Sequence, residues 1–394
     1  MKRIWCIFAA VALLMTGCVC CAEAQEGEIV IPELEIESKE IPENEALAMI
    51  REMKAGWNLG NTFDAYDASW LQDGLAYETA WCGVKTTRVL IHGLKEAGFG
   101  VVRIPVSWHN HLDADWTIDP AWLARVREVT EWVLEEGMYA IVNIHHDDSP
   151  DYYDPSAANP ENARAYVRTI WAQIAEAFAD LDGHLVFECI NEPRLKGTEY
   201  EWAWNAKNAD CQAAMANIVE MNQVFVDTVR AAGGNNTDRY LMVPAYGAGP
   251  ENACNSAFSL PTDTAENRII VSVHAYYPYG FALEQPGWDA FSLQNASLKS
   301  GIASFLQKLY QTFVSRGIPV MIGEFGAMEK NGNLQSRVNW VSWYVASARA
   351  RGITCCWWDN NVFSGQGERF GLMNRETGEC VYPEILEAIM KYAE

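Results

Sequence analysis

No Gly-x-Gly-x-x-Gly turn, no Gly-x-Ser-x-Gly elbow and no His-Glu-x-x-His occurs in this sequence of 394 residues. Their absence argues against a dinucleotide-binding sheet, a serine-hydrolase elbow and a helix-borne zinc site. Positive charge is scarce too: 29 Lys and Arg stand against 52 Asp and Glu, a formal net charge of −23. Such a surface repels nucleic acid, anionic membranes and acidic polysaccharides, so no nucleic-acid partner is expected and a neutral substrate fits. Beyond the N-terminus no apolar run reaches bilayer length, so no transmembrane segment is expected. Cysteine lacks pattern rather than number. Four of eleven (Cys6, Cys18, Cys20, Cys21) lie at the N-terminus, and the other seven are scattered, odd in number and without C-x-x-C spacing. A disulfide framework is not expected, although one isolated bridge stays open. Buried thiols are expected at Cys189, Cys355 and Cys356, which fall in apolar runs.

What the chain does have is apolar bulk and tryptophan. Hydrophobic residues make up 49% and charged ones 21%, enough for a sizeable core. Sixteen Trp exceed what a core needs, and an indole face can lie against the C–H face of a sugar ring. Lys2 and Arg3 precede an apolar stretch over 4–15, which reads as a signal peptide over 1–24. Ala22-Glu23-Ala24 is one cleavage site; Met15-Thr16-Gly17-Cys18 is a competing lipobox with Cys18 as the lipidated residue. Either predicts export, as a secreted or surface-anchored bacterial protein. Residues 25–45, rich in Glu and Pro, read as an acidic linker ahead of one catalytic domain over 46–394.

Short apolar runs then alternate with helical periodicity, the signature of parallel βα units. The strand candidates are 56–60, 101–105, 139–145, 185–191, 240–245, 269–275, 319–324 and 353–358. Between them, Trp122, Val126, Val129 and Val133 form one helical stripe, Tyr166, Ile170, Ile174 and Phe178 another, and Leu334, Val338, Val341, Val345 and Ala348 a third. Eight such units predict an α/β fold, a (β/α)8 TIM barrel as a single catalytic domain.

In that fold reacting groups project from the C-terminal ends of the strands. Those ends carry Asn61, Arg103, His145 and His146, Asn191 and Glu192, His274 and Tyr276, Glu324, and Trp357 with Trp358. Inert core strands have no need of such polar ends. Glu192 and Glu324 leave strands four and seven, which face each other across a barrel mouth. A carboxylate pair of that kind suits glycoside cleavage. Arg103 and Tyr276 are expected to bond Glu324 and keep it ionised, and Asn191 to bond a sugar 2-hydroxyl. Strand alternation lets one Trp of strand eight face the mouth, and Trp358 is the expected one. His145 and His146, as neighbours on a strand, are expected to diverge and to suit a single metal ion poorly, so no metal and no cofactor is expected.

These residues resemble glycoside hydrolase family 5, the cellulase-type retaining enzymes. The resemblance is carried by Gly56-Trp57-Asn58-Leu59-Gly60-Asn61-Thr62-Phe63-Asp64-Ala65, Val102-Arg103-Ile104-Pro105-Val106, Asn143-Ile144-His145-His146, Asn191-Glu192-Pro193, His274-Ala275-Tyr276 and Ile322-Gly323-Glu324-Phe325-Gly326. Glu78-Thr79-Ala80-Trp81 and Trp357-Trp358-Asp359-Asn360 look like the branch with endoglucanases and xyloglucanases. The resemblance implies Glu192 as acid/base and Glu324 as nucleophile. It implies substrate contacts from Asn61, Arg103, His145, His146, Asn191, His274, Tyr276 and Trp358. A β-glucan polysaccharide is the expected partner, acted on by a monomer. A mannanase or xylanase, and a non-catalytic carbohydrate-binding protein, stay open as alternatives.

Overall fold

A computed structural model describes residues 28–394, so the signal peptide and the lipobox cysteine lie outside the described residues. Eight parallel strands close into a barrel in sequential order. They are β1 (Gly56–Leu59), β2 (Val101–Ile104), β3 (Tyr139–Asn143), β4 (Leu185–Glu188), β5 (Leu241–Pro244), β6 (Ile269–His274), β7 (Val320–Phe325) and β8 (Thr354–Asp359). Among the described residues ten α-helices accompany them: α1 (Glu45–Glu52), α2 (Arg88–Glu96), α3 (Pro120–Glu135), α4 (Pro160–Ala177), α5 (Ala209–Ala231), α6 (Pro250–Ala253), α7 (Tyr279–Ala282), α8 (Ala296–Thr312), α9 (Leu334–Arg349) and α10 (Pro383–Ala393). The eight expected strands are all present. Several end earlier than the apolar runs do, because the residues beyond Asn143 or Glu188 have left the ladder for the mouth.

Strand periodicity layers the barrel interior. At the bottom Val101, Tyr139, Ile141, Val186, Met242, Ile270, Met321 and Cys356 pack together with Met49, Ile50 and Met53 from α1 and its cap. That helix, capped by Asn44 accepting from the Leu47 N–H, closes the floor. Two residues further along, five of the strands turn polar toward the interior and remain buried, at Asn58, Arg103, Asn143, Glu188 and Ser272. Register shifts fall between Val273 and His274 and between Ile322 and Phe325. Such irregularities re-aim side chains, and these two flank His274 and Glu324.

The stripes of α3 and α4 are buried throughout, whereas in α9 burial spreads well past the expected stripe to Arg337, Trp340, Ser342, Tyr344 and Ser347. Helix α9 is enclosed by α8 and α10 as well as the barrel. Trp340 and Tyr344 stack on Phe325, and Trp340 meets Trp357 edge-on. The described part of the acidic N-terminal stretch forms no helix or strand before α1, yet it is held against the barrel. Gln335 bonds Val30 twice at 2.8 Å, and the Lys39 N–H donates to the Ala350 carbonyl at 2.7 Å. Ile29, Ile31 and Ile41 pack on the core. All seven cysteines among the described residues are free thiols, with Cys189 just beyond β4 and Cys355 and Cys356 buried in β8.

Candidate active site

The polar layer is organised by Arg103, a fully buried guanidinium rising from β2. Nε donates to Glu188 at 2.8 Å, Nη1 to Asn58 at 2.9 Å and to Glu324 at 2.8 Å, and Nη2 to Asn191 at 2.7 Å. Burial alone would favour losing the proton, but the charges of Glu188 and Glu324 outweigh it and raise the pKa further. Glu188 also accepts from Ser272 at 2.5 Å and Asn143 at 2.9 Å. Reading strand ends missed Glu188, because it lies one layer below the mouth. The available signal was a carboxylate inside the apolar run Leu185-Val186-Phe187-Glu188-Cys189-Ile190.

Above this layer Glu324 is gripped at both oxygens: Arg103 donates to Oε1 and the Tyr276 hydroxyl to Oε2 at 2.9 Å. Burial and the Glu324 charge push the Tyr276 phenol well up, so it stays a donor. Glu192 faces a different partner. Its Oε1 lies 2.8 Å from His274 Nδ1, which is also 3.6 Å from Glu324 Oε1. One oxygen of each carboxylate and an imidazole nitrogen of His274 lie within 4.8 Å of one another. Burial pushes Glu192 up, but the hydrogen bond and charge of His274 outweigh it, leaving the carboxyl below its ordinary value. For His274 burial acts downward, and its Nε2 is buried without a partner among the described residues. The charge of Glu324 and the bond to Glu192 prevail, so the imidazole is held above its ordinary value. The two groups titrate as a pair sharing a proton.

The remaining sequence candidates converge on the same place. A cavity of about 820 Å³ holds Glu192, Glu324, Asn61, His145, His146, Asn191, His274, Tyr276 and Trp358 in its wall. Arg103 alone lies beneath rather than in that wall. Asn191 presents its carbonyl to Arg103, which leaves its amide nitrogen as the donor toward the cavity. His145 stacks on Trp358 with the rings 5.9 Å apart and 3° from parallel. Trp358 thus faces the cleft, while Trp357 packs outward against Phe325 and Trp340. Asn61 takes a left-handed backbone (φ 57°), which Asn tolerates. The buried Asp64 carboxylate fixes that turn by accepting from the Asn61 and Thr62 N–H groups at 2.9 and 2.7 Å, and burial pushes its pKa up to about 6.

One expectation is corrected. His145 and His146 do not diverge: β3 ends at Asn143, alternation lapses beyond it, and the two rings meet edge-on at 4.4 Å. A donor atom of each lies within 4.8 Å of one from Asp64, so these three residues could hold an ion, as could Glu192, His274 and Glu324. The Asp64 oxygens are already occupied by backbone donors. Burial lowers His146 to about 3, so it faces the cavity as a neutral ring.

Loops and short helical turns, α7 among them, complete the wall with residues that no strand-end reading supplies: Trp81, Arg194, Trp202, Gly247, Tyr279, Leu283 and Glu368. Arg194 donates to the Glu192 carbonyl at 2.9 Å, pairs with Asp148 and Glu201, and lies 4.3 Å under the indole of Trp202. That indole is 65% exposed, so one face is open. The surplus of Trp was the sequence signal for such platforms; their places were not legible.

The profile of the cellulase family (glycosyl hydrolase family 5) matches residues 64–364. The chain is 41% identical to endoglucanase B of Ruminococcus albus over 372 residues, covering 91% of this chain and 86% of that protein. A family 5 lichenase from Caldicellulosiruptor sp. F32 superposes with a TM-score of 0.91 at 52% identity, covering 93% of this chain and all of the lichenase. A xyloglucan-specific endo-β-1,4-glucanase from a metagenomic library, solved with cellotriose, gives a TM-score of 0.79 at 34% identity, covering 88% and 98%.

Proposed function

The chain belongs to glycosyl hydrolase family 5 and is an endoglucanase, and from that premise we propose that it cleaves internal β-1,4 bonds of neutral plant glucans with retention, Glu192 acting as acid and base and Glu324 as nucleophile. An oxygen of Glu192 lies within 4.8 Å of one of Glu324, and this proximity carries the reading. A separation near 5 Å leaves no room for a water between carboxyl and sugar, which suits a covalent glycosyl intermediate.

The partners of each carboxylate divide the roles. Arg103 and Tyr276 stabilise charge on Glu324 and hold both its oxygens, which suits an ionised nucleophile. Glu192 shares a proton with His274, so a proton is at hand when the bond breaks. In the first step Glu324 attacks the anomeric carbon while Glu192 protonates the departing glycosidic oxygen. In the second, Glu192 takes a proton from water, which attacks the same carbon and frees Glu324. In this reading the Asn191 amide binds the sugar 2-hydroxyl, Trp358 lies against the ring face, and Asn61 and His146 touch the neighbouring sugar. Export of the protein is proposed from the N-terminal leader.

Substrate class is proposed from the open, aromatic-flanked cleft and from the relatives, which are named endoglucanase, lichenase and xyloglucan-specific endoglucanase. Purified protein is expected to release oligosaccharides from carboxymethyl-cellulose, mixed-linkage β-glucan or xyloglucan. Reducing-end assays on these three, with mannan and xylan alongside, decide it; turnover confined to mannan or xylan overturns the substrate proposed.

The shared proton sets a pH expectation. Losing it disables the acid, so the alkaline limb of kcat/KM falls where the Glu192–His274 pair deprotonates. His274 is held above its ordinary value, so this limb lies above the usual carboxylate range. In His274→Ala the carboxyl keeps the proton alone and releases it at lower pH. The limb is expected to move acidward by about one unit or more, given the ~2 units between ordinary Glu and His values. A limb that stays in place in a pH–rate series removes His274 from the pair.

A further inference from the structure

The cleft wall contains a third carboxylate that the double displacement does not use. Glu368 follows Gly365 and Gly367, both at positive φ, in the loop between β8 and α10. The base of this loop is closed by Asn360. Its amide nitrogen donates to the Glu368 carbonyl at 2.9 Å, and its Oδ1 accepts from the Val362 and Phe370 N–H groups at 3.2 Å. The neighbouring Arg369 turns away, to the Glu329 carbonyl and carboxylate and the Gly365 carbonyl. Glu368 therefore fastens the loop through its main chain, and its carboxylate has no hydrogen-bond or ion-pair partner among the described residues.

The Glu368 side chain is exposed in the cleft wall, open to solvent and to whatever the cleft binds. Partial desolvation and the charges of Glu324 and Glu192 hold its carboxyl above the ordinary value. An exposed carboxylate in a cleft is satisfied by water, and a bound chain that displaces that water must replace its hydrogen bonds. The replacement must bring hydrogen-bond donors and no negative charge. A neutral chain of sugar hydroxyls meets both conditions.

We infer that Glu368 is a glucan-binding carboxylate, accepting hydrogen bonds from hydroxyl groups of the chain bound over Trp358. The inference rests on the proposed function, and its test separates the two. Cellotetraose binding is measured by calorimetry in a Glu324→Gln parent, with Glu368→Ala and Glu368→Gln added singly. Glu368→Ala is expected to weaken binding about tenfold, as loss of a charge-assisted bond would, and Glu368→Gln, which keeps one acceptor oxygen, by less. Melting temperatures should match the parent, because the side chain takes no part in closing the loop. In the otherwise unaltered enzyme KM for cellotetraose should rise by a similar factor with little change in kcat. Affinity within twofold of the parent in both variants overturns the inference, as does weakening accompanied by a lowered melting temperature. A parent that still hydrolyses cellotetraose at the wild-type rate instead refutes the nucleophile, leaving the ratio among the Glu368 variants to be read on its own.

Discussion

Glu324→Ala is expected to lose about four orders of magnitude or more of its turnover on soluble β-glucan, on the scale seen when a covalent nucleophile is removed. The loss is large because Glu324 both forms the glycosyl bond and supplies the negative charge facing the oxocarbenium-like centre. The alanine leaves a vacancy beside Arg103 and Tyr276, whose donors then face nothing. Azide fits there. With an aryl β-cellobioside, added azide should restore turnover and attack from the face Glu324 occupied, giving an α-glycosyl azide. Glu192→Ala should behave differently. It still forms the glycosyl intermediate from an activated substrate, loses far more activity on polymer than on the aryl glycoside, and yields a β-glycosyl azide. NMR of the anomeric proton distinguishes the products. A β-azide from Glu324→Ala would exchange the two roles, and wild-type turnover in that variant would refute the nucleophile altogether.

The strands and the mouth were legible in sequence for one physical reason. A parallel strand buried on both faces must be a short apolar run, so a polar residue at its end stands out against it. Glu192, Glu324, His274 and Tyr276 were visible in this way. Glu188 was not, because a buried carboxylate reads as an anomaly until its partner is known. That partner, Arg103, is 85 residues away and is brought near only by the order β2–β3–β4. The pairing of His145 with His146 was misjudged, since alternation was carried past the last ladder residue. Trp202 and Glu368 lie in loops, where no period constrains the path. The spread of burial around α9 was equally hidden, because a helix enclosed on several sides has no single stripe. The N-terminal stretch, read as an acidic linker, contains Ile29, Ile31 and Ile41, isolated apolar residues that pack against the core.

Arg103→Met is expected to be the most damaging single change to folding in the barrel interior. The guanidinium is fully buried and sits between two buried carboxylates, Glu188 and Glu324, while also bonding Asn58 and Asn191. Removing one partner of a buried pair costs about 3–5 kcal/mol, because the other charge is left without compensation. Here two charges lose it, so denaturant unfolding should show a loss at or above that range. The direction with pH follows. A carboxylate stranded in a dry interior takes up a proton rather than remain charged, and acid supplies that proton. The deficit relative to the unaltered chain should therefore be smaller at pH 5 than at pH 8. Adding Glu188→Gln to Arg103→Met tests the cause directly. The amide removes a stranded charge and keeps the oxygen for Ser272 and Asn143, so the double variant should be more stable than Arg103→Met alone, whereas Glu188→Gln in the native background should be destabilising. Additive losses in this cycle would mean that packing volume, and not charge, is what Arg103 contributes. The same guanidinium that bonds Glu324 would then have no electrostatic share in the fold, and catalysis and stability would be separable at this residue.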